Sequence, residues 1–173
     1  AGHRRYQDAA IRAIEAALRQ QQSNGWFAHN CLTRSDAPLT HTLGYTLQGV
    51  LEVGVLAQRQ DFLDAVRKGI DPIIARIDRR GVLPGRFYAD WEPAAWSSCL
   101  TGSAQIAIVC YRLSGVTGEA GYRLAADRLV DAARQRGVPL SVVDIDHEEA
   151  VRMYERRLVL VRPDGHTAWR GDS

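Results

Sequence analysis

Several absences narrow the reading of this 173-residue sequence at the outset. No run approaches the ~18–20 consecutive apolar residues of a membrane span, and no signal-peptide pattern opens the chain. No block of like charges interrupts it: 22 basic and 20 acidic residues are interspersed to a net charge of +2. A nucleic-acid or membrane-surface partner is therefore not expected. The pairs Arg4-Arg5, Arg79-Arg80 and Arg156-Arg157 are short enough to be exposed helix ends. Cys31, Cys99 and Cys110 lack any Cys-x-x-Cys spacing, which excludes a zinc ribbon or a thiol-redox pair as a sequence reading. An odd, dispersed set suits a reducing compartment, so a cytoplasmic protein with Cys110 as a buried thiol is expected. His29, Cys31, His41 and Cys99 form no ligand motif, and neither a metal nor a cofactor is expected. Nothing singles out Cys99 and His41 as a nucleophile–base pair.

What is present is a repeat. Over residues 6–22, Ala9, Ile11, Ile14, Ala17 and Leu18 recur near the helical period, and Ser23-Asn24-Gly25 supplies a stop. Residues 62–77 repeat the segment at an offset of 56: Tyr6 with Phe62, Asp8 with Asp64, Ile14 with Ile70, Asn24-Gly25 with Arg80-Gly81. A third copy begins at Tyr122, 60 residues further on, and runs to about residue 135. Between the copies lie apolar helices over about 42–57 and 99–113, which align with each other through Tyr45 and Gln105, Leu51 and Tyr111, Val53 and Leu113. The first set carries more charge and is expected on the outside; the second is apolar nearly all round and is expected to be enclosed. A helical hairpin of this length cannot bury its own face and must stack on its neighbours. The fold expected is mainly α: helical-hairpin repeats over 1–136, followed by a small segment over 137–173.

Two long connections, residues 24–40 and 80–98, lead into the starts of the inner helices. They carry Trp26, Phe27, His29, Cys31, Arg86, Phe87, Asp90, Trp91 and Trp96, with His41 where the first inner helix begins. Aromatic and polar groups gathered beside free helix N–H groups read as a ligand mouth. The alternative is that the aromatics plug the end of the bundle. The ligand-binding candidates are Trp26, Phe27, His29, Arg86, Trp91, Trp96 and Gln105. The acid–base candidates are His41 and Asp90, since an imidazole oriented by a carboxylate transfers protons near neutrality. A helix-start role for His41 and an Asx turn for Asp90 stand beside that reading. Glu52 interrupts an apolar helix; it either faces a cavity or pairs with Arg59 or Arg112, and pairing is the preferred reading.

Four runs carry a resemblance: Asn24-Gly25-Trp26-Phe27; residues 38–52, from Pro38-Leu39-Thr40-His41 to Glu52; Leu83-Pro84-Gly85-Arg86-Phe87-Tyr88-Ala89-Asp90-Trp91; and Ser98-Cys99-Leu100-Thr101-Gly102-Ser103-Ala104-Gln105. In this order they resemble bacterial α/α-toroid proteins of the prenyltransferase and squalene-cyclase-repeat type, over residues 6–135. The resemblance implies part of an α/α toroid with a cavity at the inner-helix rim, and a carbohydrate or isoprenoid as its small-molecule ligand. A full ring needs about twelve helices and five are present, so a homo-oligomer or a second half-toroid is expected to complete it. The Asp-x-Asp-Asp acid of squalene–hopene cyclases is missing, and Asp90 stands alone.

After Gly137-Val138-Pro139 the period changes. Residues 140–145 read as a strand, 148–155 as a short helix with Asp146 as N-cap, and 157–162 with 166–170 as a hairpin turned by Pro163-Asp164-Gly165. The order is βαββ. Residues 137–171, above all Val159-Leu160-Val161-Arg162-Pro163-Asp164-Gly165-His166-Thr167-Ala168-Trp169-Arg170, resemble the thioredoxin-like C-terminal end of FAD-dependent aromatic hydroxylases. In those enzymes this region helps to pair subunits while flavin binds elsewhere. Gly-x-Gly-x-x-Gly is absent here, so the resemblance implies a non-catalytic assembly or dimerisation segment. Two such signatures on one chain read as a fragment, a fusion or a truncated product, and whether the chain is an enzyme stays open.

Overall fold

The structure, a computed structural model, describes residues 2–31, 34–138, 152, 158–161 and 167–171. Among the described residues of the first unit, five helices alternate as the repeat requires: α1 (Gly2–Leu18), α2 (Thr40–Leu56), α3 (Gln60–Ile74), α4 (Leu100–Thr117) and α5 (Ala120–Gln135). A two-stranded hairpin, β1 (Leu158–Val161) and β2 (Thr167–Gly171), follows. The chain groups into two compact units, Ala1–Val138 and Pro139–Ser173.

In the first unit, α2 and α4 are the inner helices. Their sequences are apolar because both sides are covered: Leu43, Leu47, Val50 and Leu51 of α2, and Ile106, Val109, Cys110 and Leu113 of α4, are buried. The outer helices α3 and α5 bury one face only, through Phe62, Val66, Ile70 and Ile73, and through Tyr122, Ala126, Leu129 and Val130.

Two glycines set the spacing between repeats. Gly25 (φ +88°) and Gly81 (φ +73°) follow the first and second outer helices in the left-handed region. A Cβ on Gly25 would stand 2.0 Å from the Lys68 carbonyl oxygen of α3, and one on Gly81 2.3 Å from that of Arg128 in α5. Each outer layer thus touches the backbone of the next, a contact only glycine permits.

Helix ends depart from the sequence reading where tertiary bonds compete. The first helix stops at Leu18 rather than near residue 22, because the Gln21 side-chain amide donates to the Ala65 carbonyl at 2.8 Å and the Gln22 N–H to Trp26 at 2.7 Å. The second inner helix runs on to Thr117, ending at Gly118 with φ +76°. His41 does not cap its helix: the N-cap is Leu39.

In the second unit, β1 and β2 pair antiparallel in the register Leu158 to Gly171, Val159 to Arg170 and Leu160 to Trp169, with an irregularity before Val161. The hairpin expected from the sequence is present. The strand expected over 140–145, the helix over 148–155 apart from Arg152, and the Pro163-Asp164-Gly165 turn lie outside the described residues.

Candidate functional site

The starts of α2 and α4 abut. A Cβ on Gly102 would stand 2.8 Å from the His41 amide nitrogen, so the two helices approach within backbone distance. The connection before α4 is laced onto this end. Thr40 donates its N–H to Gly85 (2.9 Å) and its hydroxyl to Pro84 (2.5 Å). Gly85 donates to Ser97 (2.8 Å), Ala94 to Arg86 (2.9 Å), and the Arg86 guanidinium to the Ala37 carbonyl (2.6 Å). The Thr40 N–H bond satisfies a donor that a helix start otherwise leaves unpaired.

The aromatic residues of the two connections divide into a buried set and an exposed one. Trp26, Phe27, Phe87 and Trp91 are buried. Trp26 meets Trp91 edge to face at 5.2 Å, and Trp91 meets Phe87 at 6.1 Å. Trp91 holds a left-handed φ of +65°, fixed by its indole N–H donating to the Asn24 carbonyl at 3.0 Å. Asn24 binds both connections, donating its side-chain amide to Ala89 (2.7 Å) and accepting the Trp26 N–H (3.2 Å). Of the two readings drawn from sequence, plugging the bundle end describes Trp26, Phe27 and Trp91, which have no ring face open to a ligand. Trp96, by contrast, is fully exposed at 101%. His29 is exposed with φ +57°.

His41, half-buried, meets the exposed Tyr45 one turn along α2 edge to face at 5.1 Å. Asp90 is exposed and accepts the Glu92 N–H at 3.0 Å, an Asx turn that orders its own loop. Gln105 is buried and donates to Gln48 across the α2–α4 seam. One turn deeper, Glu52 receives the Arg112 guanidinium at 3.1 Å, the pairing preferred from sequence with Arg112 as the partner.

Burial shapes two acidities near this seam. It pushes the Cys110 thiol up to about 12, with the Asp71 charge adding to the effect. It raises the Tyr111 hydroxyl too, reinforced by the hydrogen bond that Tyr111 donates to Asp127 at 2.6 Å.

Sequence reasoning missed Gln48, Tyr45 and the double role of Asn24. Tyr45 carried a usable signal, an aromatic four residues after His41 on an apolar helix. Among the described residues no three His, Cys, Asp or Glu side chains gather in a cluster able to hold a metal ion, and no helix is long and apolar enough to cross a membrane.

Alternating inner and outer helices, with the inner starts and the long connections at one rim, define the fold of the first unit as part of an α/α toroid. The chain is similar in structure to the unsaturated glucuronyl hydrolase, responsible for the degradation of glycosaminoglycan, from Bacillus sp. GL1. The TM-score is 0.57 at 14% identity, covering 73% of this chain and 38% of that one. At that identity the likeness is one of fold. In sequence, a 54-residue stretch is 43% identical to the FAD-dependent monooxygenase apdD of Emericella nidulans, covering 31% of this chain and 9% of that protein. Both resemblances read from the sequence are thus met in known proteins, and the chain spans only a minor part of each. No protein-family model matches it.

Proposed function

We propose that the helical unit binds a carbohydrate at the rim formed by the starts of α2 and α4. The observation that carries this reading is the exposed Trp96 indole on a connection hydrogen-bonded to the same rim as Arg86, His41 and Tyr45. An indole face stacks on the apolar face of a sugar ring, while imidazole, phenol and guanidinium groups hydrogen-bond its hydroxyls or a carboxylate. The toroid neighbour, responsible for the degradation of glycosaminoglycan, supports a sugar over the isoprenoid alternative. Within this reading His41 is the proton-exchanging group, Asp90 orders the loop, and Gln105 holds the rim rather than the ligand.

Titration of the full chain with a uronate-containing disaccharide, a neutral disaccharide and a prenyl diphosphate, followed by tryptophan emission and melting temperature, tests this. A saturable change with a sugar, lost in Trp96→Phe, is expected. Unchanged emission and melting with both sugars would sink the carbohydrate reading, and a response to the prenyl diphosphate alone would transfer the site to an isoprenoid.

The 43% identity with the monooxygenase over 54 residues supports a second reading, in which the chain is a non-catalytic assembly or dimerisation fragment.

A further inference from the structure

Where the loop after α3 crosses α5, four arginines gather in a strip that the rim does not use. The crossing is close, with Gly81 set against Arg128 and Ala132. The Arg128 guanidinium donates to the Ile77 and Asp78 carbonyls at 3.1 and 2.8 Å, which seats it in the loop that carries Arg79 and Arg80. At the end of α5 the Arg136 guanidinium donates to the Ser98 hydroxyl at 3.4 Å. From Arg128 to Arg136 the helix rises about 12 Å. Ser98 follows Trp96 by two residues, at most about 7 Å of chain, so the strip ends beside the rim.

Arg79, Arg80, Arg128 and Arg136 are all exposed. One carboxylate stands among them. Asp78 accepts the Val82 and Arg80 N–H groups, both at 2.8 Å, and meets the Arg80 guanidinium only at 3.7 Å. The Val82 bond, then the Arg80 bond and the charges of Arg80 and Arg136, hold its carboxyl below the usual range. Arg79 has no acidic partner among the described residues. The nearby acids Glu92 and Asp131 meet other arginines, Arg76 at 2.6 Å and Arg134 at 3.4 Å. Four guanidinium groups against one carboxylate make a local excess larger than the +2 of the whole sequence.

We propose that Arg79, Arg80, Arg128 and Arg136 form a docking strip for the uronate or sulfate groups of an acidic polysaccharide, one sugar of which lies against Trp96. This rests on the carbohydrate reading of the rim and adds the charge and the length of the ligand. Guanidinium forks pair with carboxylate and sulfate oxygens, and their spread along the helix suits a chain that repeats its anion. A nucleic-acid strand fits less well, because it binds through rings on which its bases stack. Residues 78–82 and 128–136 contain no aromatic side chain.

The test is titration of the full chain with labelled oligosaccharides long enough to span the strip, one bearing uronate, one sulfate and one neutral, read by fluorescence anisotropy. The acidic oligosaccharides are expected to bind roughly tenfold tighter than the neutral one, an advantage that shrinks as salt is added. The tighter of the two identifies the anion. Arg79→Gln combined with Arg80→Gln is expected to remove most of the advantage with unchanged circular dichroism and melting. Arg12→Gln combined with Arg19→Gln, an equal loss of charge at exposed positions of α1, is expected to keep it. A strip variant that binds like the wild type would overturn the proposal, as would a single-stranded oligonucleotide that binds more tightly than either acidic sugar. If the disaccharide response at Trp96 persists while the acidic advantage is absent, the strip fails and the rim reading stands. Acidic binding that needs the arginines but not Trp96 would keep the strip and sink the rim reading.

Discussion

The closeness of successive hairpins can be measured with three alanine substitutions. Gly81, Gly118 and Gly137 share nearly one backbone conformation, with φ of +73°, +76° and +74°. An alanine at any of them is strained in the left-handed region, by about 1–2 kcal/mol. The surroundings differ. A Cβ at Gly81 would stand 2.3 Å from the Arg128 carbonyl oxygen and 2.8 Å from the Ala132 methyl, while at Gly118 and Gly137 no described atom lies within 4 Å. Neither obstacle at Gly81 is the movable end of a long side chain, so α5 must shift away from the second repeat. Overpacking of that kind adds about 1–3 kcal/mol. Gly81→Ala is therefore expected to cost about 2–5 kcal/mol, against about 1–2 kcal/mol for Gly118→Ala and Gly137→Ala. Urea unfolding followed by far-UV circular dichroism reads the difference as a lower midpoint. If Gly81→Ala fell within about 0.5 kcal/mol of the two controls, the argument that the layers touch backbone to backbone would be refuted.

The Glu52–Arg112 pair offers a second test. Arg112 has 8% of its side chain exposed and Glu52 26%, so Arg112→Ala leaves a largely dehydrated carboxylate behind and is expected to destabilise by about 2–3 kcal/mol. Adding Glu52→Gln should return more than half of that in a double-mutant cycle; an additive pair of losses would show that the ion pair does not couple α2 to α4. Cys110 gives a pH-dependent signal. Burial holds its thiol protonated up to about 12, above the ordinary value of about 8.5. The folded state therefore binds this proton more tightly than the unfolded state. The resulting stabilisation is complete below the ordinary value and is lost as the pH climbs towards about 12. Maleimide mass mapping at mildly alkaline pH should label the half-buried Cys31 and Cys99 well before Cys110. Labelling of Cys110 at a comparable rate in the folded protein would contradict its burial.

The sequence was most legible where the physics is local and periodic. Ile14 and Ile70 recur because outer helices need one apolar face, and Asn24-Gly25 and Arg80-Gly81 recur because a turn there needs a left-handed residue. Legibility ended where a long-range bond decided the outcome. Nothing near Gln21 announces that its amide will reach Ala65 across to α3, so the end of α1 was set too late. Glu52 had two eligible arginines; Arg59 pairs instead with Asp61 and Glu15, which sequence spacing could not reveal. The rim shows the same boundary. Composition put five tryptophan and phenylalanine rings into the connections without saying which face water. That was settled by Asn24, which no reading of the sequence singled out as a ligand-rim residue and which draws Trp26 and Trp91 inward by hydrogen bonds with the Ala89 carbonyl, the Trp26 N–H and the Trp91 indole N–H.

This division of aromatic residues bears directly on binding. A ligand-contacting ring on a free loop loses affinity to the entropy of ordering that loop. Trp96 stands on a connection pinned on both sides, by Ala94 to Arg86 and by Gly85 to Ser97, and Gly85 is in turn held by Thr40 in the first turn of α2. The buried cluster of Trp26, Phe87 and Trp91 stiffens the connection from beneath. Below that, the Gln48–Gln105 and Glu52–Arg112 bonds fix α2 against α4 and so fix the distance between the two helix starts. For the proposed carbohydrate site, the residues withdrawn from the ligand are thus the ones that hold the rim rigid. It follows that substitutions in this support and at Trp96 act differently on binding. If the proposed site holds, loss of Trp96 is expected to weaken binding and leave the fold intact, whereas loss of Asn24 is expected to loosen the rim and weaken binding together with stability.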